Sequence, residues 1–169
     1  MVLALNIVII LLLIALIYQD FKYRYVLWFI FPLLIGGQFF VSYISIGWDE
    51  FWRNTTVNLM LMALQFLVLT LYFSFRNRKW INIINKYIGV GDVFFFVFLS
   101  LAFSPFNFLT FFIVSLLVVL IIYSLTVRKK LRKYKIPLLG GMAVAYLLAL
   151  CVEYFSGFNK FEDIVLNLY

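Results

Sequence analysis

Histidine is absent from the 169-residue chain, and cysteine occurs once, as Cys151. The first absence removes the usual general base and the commonest metal ligand. The second excludes a disulfide framework and a zinc site of four thiolates. Charge is scarce too: 12% of residues are charged against 66% hydrophobic and 21% aromatic, with a mean hydropathy of +1.08. A soluble domain does not have this composition. The expectation is an all-α integral membrane protein whose chemistry, if any, rests on carboxylates, lysines, tyrosines or serines, with no cofactor. The net charge of +7 in so apolar a chain places basic residues beside anionic lipid headgroups, and nucleic acid is not expected as a partner.

Apolar stretches near the 20 residues needed to cross hydrocarbon fall at 2–18, 26–47, 55–75, 88–103, 108–127 and 136–155. They predict a polytopic membrane protein with six transmembrane helices in a single domain spanning 1–169. The fourth and fifth are separated only by "SPFN", residues 104–107, where Pro105 lacks a backbone donor and disfavours helix at Ser104, so a tight hairpin is expected there. The first stretch has no preceding basic residue and no small-x-small cleavage site, and reads as a retained helix rather than a signal peptide.

Six crossings put both termini on one side. The connections after the first, third and fifth helices then hold Lys22 and Arg24; Arg76, Arg78, Lys79 and Lys86; and Arg128, Lys129, Lys130, Arg132, Lys133 and Lys135, leaving only Arg53 and Lys160 for the other side. The positive-inside rule therefore predicts a cytoplasmic-membrane protein with both termini extracytoplasmic. Sorted by the same topology, Asp49, Glu50, Glu153, Glu162 and Asp163 lie outside, and only Asp20 and Asp92 lie on the cytoplasmic side. Counted back from Ser104, Asp92 falls one to two turns below the surface, and intramembrane ionisable residues usually mark function.

Two carboxyl groups in a small, partly desolvated site do not both ionise cheaply, so one is held protonated beside a charged partner. Such a pair is an acid and a base together: it can take a proton from attacking water and give one to an oxyanion or leaving amine, with no metal and no nucleophilic side chain. Gly89 and Gly91, before Asp92, leave room for close backbone approach and permit turn conformations beside an extended substrate. Two plainer readings stand beside this one. Asp92 suits a helix N-cap, and Asp20 can pair with Lys22 or Arg24 at the surface. A transporter or proton relay built on Asp92 is a further alternative.

The combination of "QDFKYRYV", residues 19–26, at the end of the first helix with "GVGD", residues 89–92, opening the fourth resembles the type IV prepilin peptidases and their archaeal preflagellin relatives, which are GxGD membrane aspartyl proteases. The family's first motif, D-x-(K/R)-x-R-x-(I/V), is met by Asp20, Lys22, Arg24 and Val26, and its second by Gly89, Gly91 and Asp92. "KIPLLGGMAVAY", residues 135–146 and including Pro137, is similar to the segment opening the family's last helix. The resemblance implies an endopeptidase with Asp20 and Asp92 as the catalytic pair. Gly89 and Gly91 would shape the loop, and Lys22, Arg24 and Pro137 would support the site. The partner would be a prepilin-like or pseudopilin-like precursor that loses its short basic leader at the cytoplasmic membrane face. Leu27 and Trp28 stand where many members have Pro-Asn, and Phe94 where many have lysine. The large insertion with paired cysteines of the bifunctional enzymes is missing, so N-methylation is not implied. Oligomeric state is left open.

The remaining polar residues have structural readings. Asn6, Gln38, Asn58 and Gln65 are expected to bond between helices, and the pairs Gly36-Gly37 and Gly140-Gly141 to permit close packing. Trp48, Phe51 and Trp52 read as an aromatic belt. Residues 76–87 read as a short interfacial helix, 127–135 as a topology determinant against anionic lipid, and Cys151 as inert core.

Overall fold

The computed structural model describes residues 2–79, 88–126, 138–156 and 159–162. Pro137, the basic run 127–135, and residues 80–87 of the expected interfacial helix lie outside these. Six helices follow in order: α1 (Val2–Tyr23), α2 (Ile30–Ile46), α3 (Trp48–Asn77), α4 (Val90–Ala102), α5 (Pro105–Thr126) and α6 (Leu138–Ser156). The chain is an all-helical membrane protein. α1, α3, α5 and α6 are long and apolar enough to cross a membrane, whereas α2 and α4, at 17 and 13 residues, are shorter than the expected crossings.

The differences have local causes. α2 loses its first turn to a connection in which the Ile30 and Phe31 amides bond the Leu27 and Trp28 carbonyls. α3 begins well before the expected residue 55 because a single residue, Gly47, reverses the chain after α2. Its φ of 79° and ψ of 174° lie in a region open essentially to glycine. Asp49 and Glu50 then occupy the first turn of α3, where negative charge suits the helix dipole.

α4 is the central element. It packs against α2, α3, α5 and α6, and Phe95, Phe96, Phe98, Leu99, Ser100 and Ala102 are buried, which explains why its sequence is apolar on every face. A 13-residue helix spans only about 20 Å at 1.5 Å per residue, so its last carbonyls end inside the bundle, where lipid offers no hydrogen bonds. Side chains of neighbouring helices satisfy those of Ser100 and Leu101, and that of Phe103 just beyond. Asn58 Nδ2 donates to Ser100 O at 2.9 Å and Phe103 O at 2.8 Å, and Ser42 Oγ donates to Leu101 O at 2.6 Å. Gln38 Nε2 donates to Ser42 Oγ, and Tyr146 OH on α6 donates to Gln38 Oε1, which extends the chain across the core. Asn58 and Gln38 thus act as expected. Among the described residues the buried Gln65 Oε1 has no hydrogen-bond partner.

Beyond α4 the expected hairpin forms: Pro105 opens α5, and the Phe108 amide bonds Ser104 O at 2.8 Å. Residues 159–162 fold back over it. Lys160 O accepts from the Ser104 amide and from Asn107 Nδ2, and Glu162 O accepts from Asn107 Nδ2. The Lys160 side chain is buried and pairs with Glu153 at 3.1 Å. Gly37 and both glycines of 140–141 sit at tight helix contacts, whereas Gly36 faces open space. Phe51 is core, packed on Phe39, while Trp48 and Trp52 are exposed. Cys151 is exposed, not core, because its position on α6 faces away from the bundle.

Candidate functional site

The ends of three helices converge at the end of the bundle opposite the α4–α5 hairpin. α1 delivers Asp20 in its last turn. The helix then stops at Arg24, whose φ of 61° is left-handed, and whose amide returns to Asp20 O at 3.2 Å. This is the αL termination that glycine usually makes; in arginine it places strained backbone beside the carboxylate. Gln19 Oε1 accepts the Leu27 amide at 2.9 Å, so the connection after α1 is pinned back onto the helix that carries Asp20.

α4 delivers Asp92 as its third residue. Gly89 precedes the helix as N-cap, with φ −70° and ψ 150°, and its amide donates to Asp92 Oδ2 at 3.0 Å. That is the returning half of a capping box, and glycine has no side chain to supply the other half. Asp92 is therefore a capping residue at the third position, not the N-cap. Gly91 is helical, and neither glycine of the motif has positive φ. The turn conformations expected of them are not adopted; what they contribute is the lack of a Cβ. A Cβ on Gly91 would sit 3.2 Å from Phe31 Cζ, and one on Gly89 would sit 3.1 Å from Asp92 Oδ2.

α6 supplies the contact that sequence reasoning missed. The Gly140 amide, in the first turn, donates to Asp20 Oδ2 at 2.7 Å. Amides there have no partner within the helix and sit at its positive end. Each carboxylate is thus held through one oxygen by a glycine amide at a helix N-terminus.

Asp20 and Asp92 line one open cleft of about 660 Å³. Both are partly buried, and Arg24 lines the same cleft. The cleft also takes in Gly89, Gly91 and Val26. Much of its lining is apolar: Phe31 and Phe94, which stack at 5.6 Å, with Leu116 and Leu120 of α5 and Leu139 of α6. Lys22 is not part of it. Its Nζ donates to Tyr18 OH and lies over the Tyr18 and Tyr23 rings on the exposed side of α1. Among the described residues no three His, Cys, Asp or Glu side chains gather as a metal site would require.

Two groups here had no clear signal in the sequence. Gln19 was visible only as part of a motif, and Gly140 only as a small residue. Neither bond partner can be read from spacing alone. No family model, curated protein or solved structure matches this chain.

Proposed function

We propose that the protein is an intramembrane aspartyl endopeptidase that removes the short basic leader of prepilin-like precursors at the cytoplasmic face of the membrane, with Asp20 and Asp92 as its catalytic pair. The observation that carries this reading is the shared cleft: two carboxyl groups from α1 and α4, 72 positions apart in the chain, face one cavity at one end of the bundle. Its apolar walls suit the membrane-embedded part of a precursor helix, and its open side suits an extended leader.

In this reading one carboxylate accepts a proton from water as the water oxygen bonds to the scissile carbonyl carbon. The other carboxyl, protonated, donates to the carbonyl oxygen. When the tetrahedral species collapses, the C–N bond breaks, the proton gained from water passes to the leaving amine, and the carboxyl that donated regains its proton from the gem-diol. Both glycine amides hold carboxylate oxygens without consuming the second oxygen of either group, which remains for water or substrate.

The transport alternative needs a route from Asp92 through the bundle. Between the cleft and the opposite end stand Phe95, Phe98, Phe103 and Tyr146, all buried, with Phe98 and Tyr146 ring centroids 5.1 Å apart and Phe103 and Tyr146 5.6 Å apart. This packing favours a one-sided peptidase cleft. The test is co-expression with prepilin-type leaders: Asp20→Asn and Asp92→Asn are each expected to lower cleavage by about 10²- to 10⁴-fold while the protein still accumulates in the membrane. Full cleavage by both variants overturns the proposal.

A further inference from the structure

We infer that Gly140 is a positioning residue for Asp20: the first turn of α6 aims the carboxylate into the cleft, and the residue is glycine because the carboxylate lies against it. The inference rests on the peptidase reading and goes beyond it: Gly140 lies in the segment 135–146 but in neither aspartate motif, and the resemblance gives it no role.

The two adjacent glycines of α6 separate this role from ordinary packing. A Cβ on Gly141 would meet Val119 Cγ2 of α5 at 2.6 Å, a contact between apolar groups only. A Cβ on Gly140 would meet Asp20 Oδ2 at 2.9 Å and the Phe21 ring at 2.9 and 3.0 Å. Phe21 is half exposed and can be shortened at little structural cost. Asp20 cannot retreat without losing the Gly140 amide, because its Oδ2 is both the hydrogen-bonded atom and the crowded one. Alanine at 140 therefore turns or shifts the carboxylate even when the ring is gone, whereas alanine at 141 is accommodated once Val119 is trimmed. A displacement of an ångström at a reacting group costs roughly 10²-fold in rate.

The experiment compares the relieved pairs in the protein reconstituted in lipid, with a prepilin-type precursor peptide that still carries its leader as substrate. Gly140→Ala with Phe21→Ala is expected to lose roughly 10²-fold in kcat with KM unchanged, against a Phe21→Ala control of wild-type activity. Gly141→Ala with Val119→Ala is expected to retain wild-type kcat. Equal activity of the two relieved pairs overturns the inference while leaving the peptidase reading intact. A second measurement does not use activity. Amide hydrogen exchange at Gly140 is expected to be severalfold faster in Asp20→Ala than in wild type, with Gly141 unchanged; no acceleration at Gly140 overturns the inference. A wild type that cleaves no leader removes the peptidase reading, and the exchange measurement then still decides whether α6 holds Asp20.

Discussion

Asn58 on α3 and Phe103 just beyond α4 are joined by a 2.8 Å hydrogen bond from the Asn58 amide to the Phe103 carbonyl, and the same amide nitrogen also serves Ser100 O. One buried side chain thus closes the C-terminal end of the helix that carries Asp92 at its other end. Replacing it with leucine keeps the volume and leaves two carbonyls unpartnered in a dry interior. Asn58→Leu is expected to destabilise the protein by about 1–3 kcal/mol, read as a lower midpoint of thermal unfolding in detergent. Cleavage per folded molecule should change little, because the substitution lies at the far end of α4.

Lys160 and Glu153 offer a second test of the closed end. Lys160 is 4% exposed, and its ammonium lies 3.1 Å from Glu153 and 5.2 Å from the centre of the Phe161 ring. Removing one member of a buried pair strands the other, whereas removing both can be close to neutral. Glu153→Gln is therefore expected to cost about 3 kcal/mol by leaving the ammonium uncompensated. Lys160→Met combined with Glu153→Gln should recover most of that loss. A double-mutant cycle on unfolding midpoints gives the coupling directly; additive effects would show that the pair does not act as a unit.

How much of this was legible beforehand depends on the range of the interaction. The six helices follow from apolar run lengths, and Pro105 marked the α4–α5 hairpin correctly, because both are local signals. Asp20 and Asp92 stood out once charges were sorted by connection, and they do line one cleft. The short α4 was not legible: its apolar run continues to Phe103, and only Asn58 and Ser42, from other helices, show how its carbonyls are satisfied inside the bundle. Gly140 lies 120 residues from its partner Asp20, so no spacing announces the bond. The sequence assigns Lys160 only to the outer side, and its burial depends on Asn107 and Ser104 capturing the backbone around it.

The glycines make a graded series. Gly47 has φ 79° with open space around its Cβ position, Gly36 is helical with open space, and Gly37 would bring a Cβ to 3.3 Å from Ile9 Cγ1. Alanine at 47 meets no atom yet strains the backbone, at a cost of about 1–3 kcal/mol. Alanine at 36 should stabilise by about 0.5–1 kcal/mol through helix propensity alone. Alanine at 37 should fall between them, as Ile9 gives way. Unfolding midpoints of the three single variants test the order, and a destabilised Gly36→Ala would show that its face is covered in the membrane.

Arg24 separates backbone from charge. It holds a left-handed φ of 61° at the end of α1, and it lines the same cleft as Asp20. Glycine there relieves the left-handed strain, which is worth about 1–2 kcal/mol for an L-residue, but takes away the guanidinium and its contacts. Arg24→Gly is therefore expected to leave unfolding stability within about 1 kcal/mol of wild type while lowering leader cleavage. Arg24→Lys keeps a cation and the strain, and should keep more of the activity than Arg24→Gly at equal or lower stability. The measurement is cleavage rate against unfolding midpoint for the two variants side by side. If activity instead tracks stability across both, Arg24 serves only to end the helix. If it tracks charge, the arginine belongs with the two aspartates in the working site.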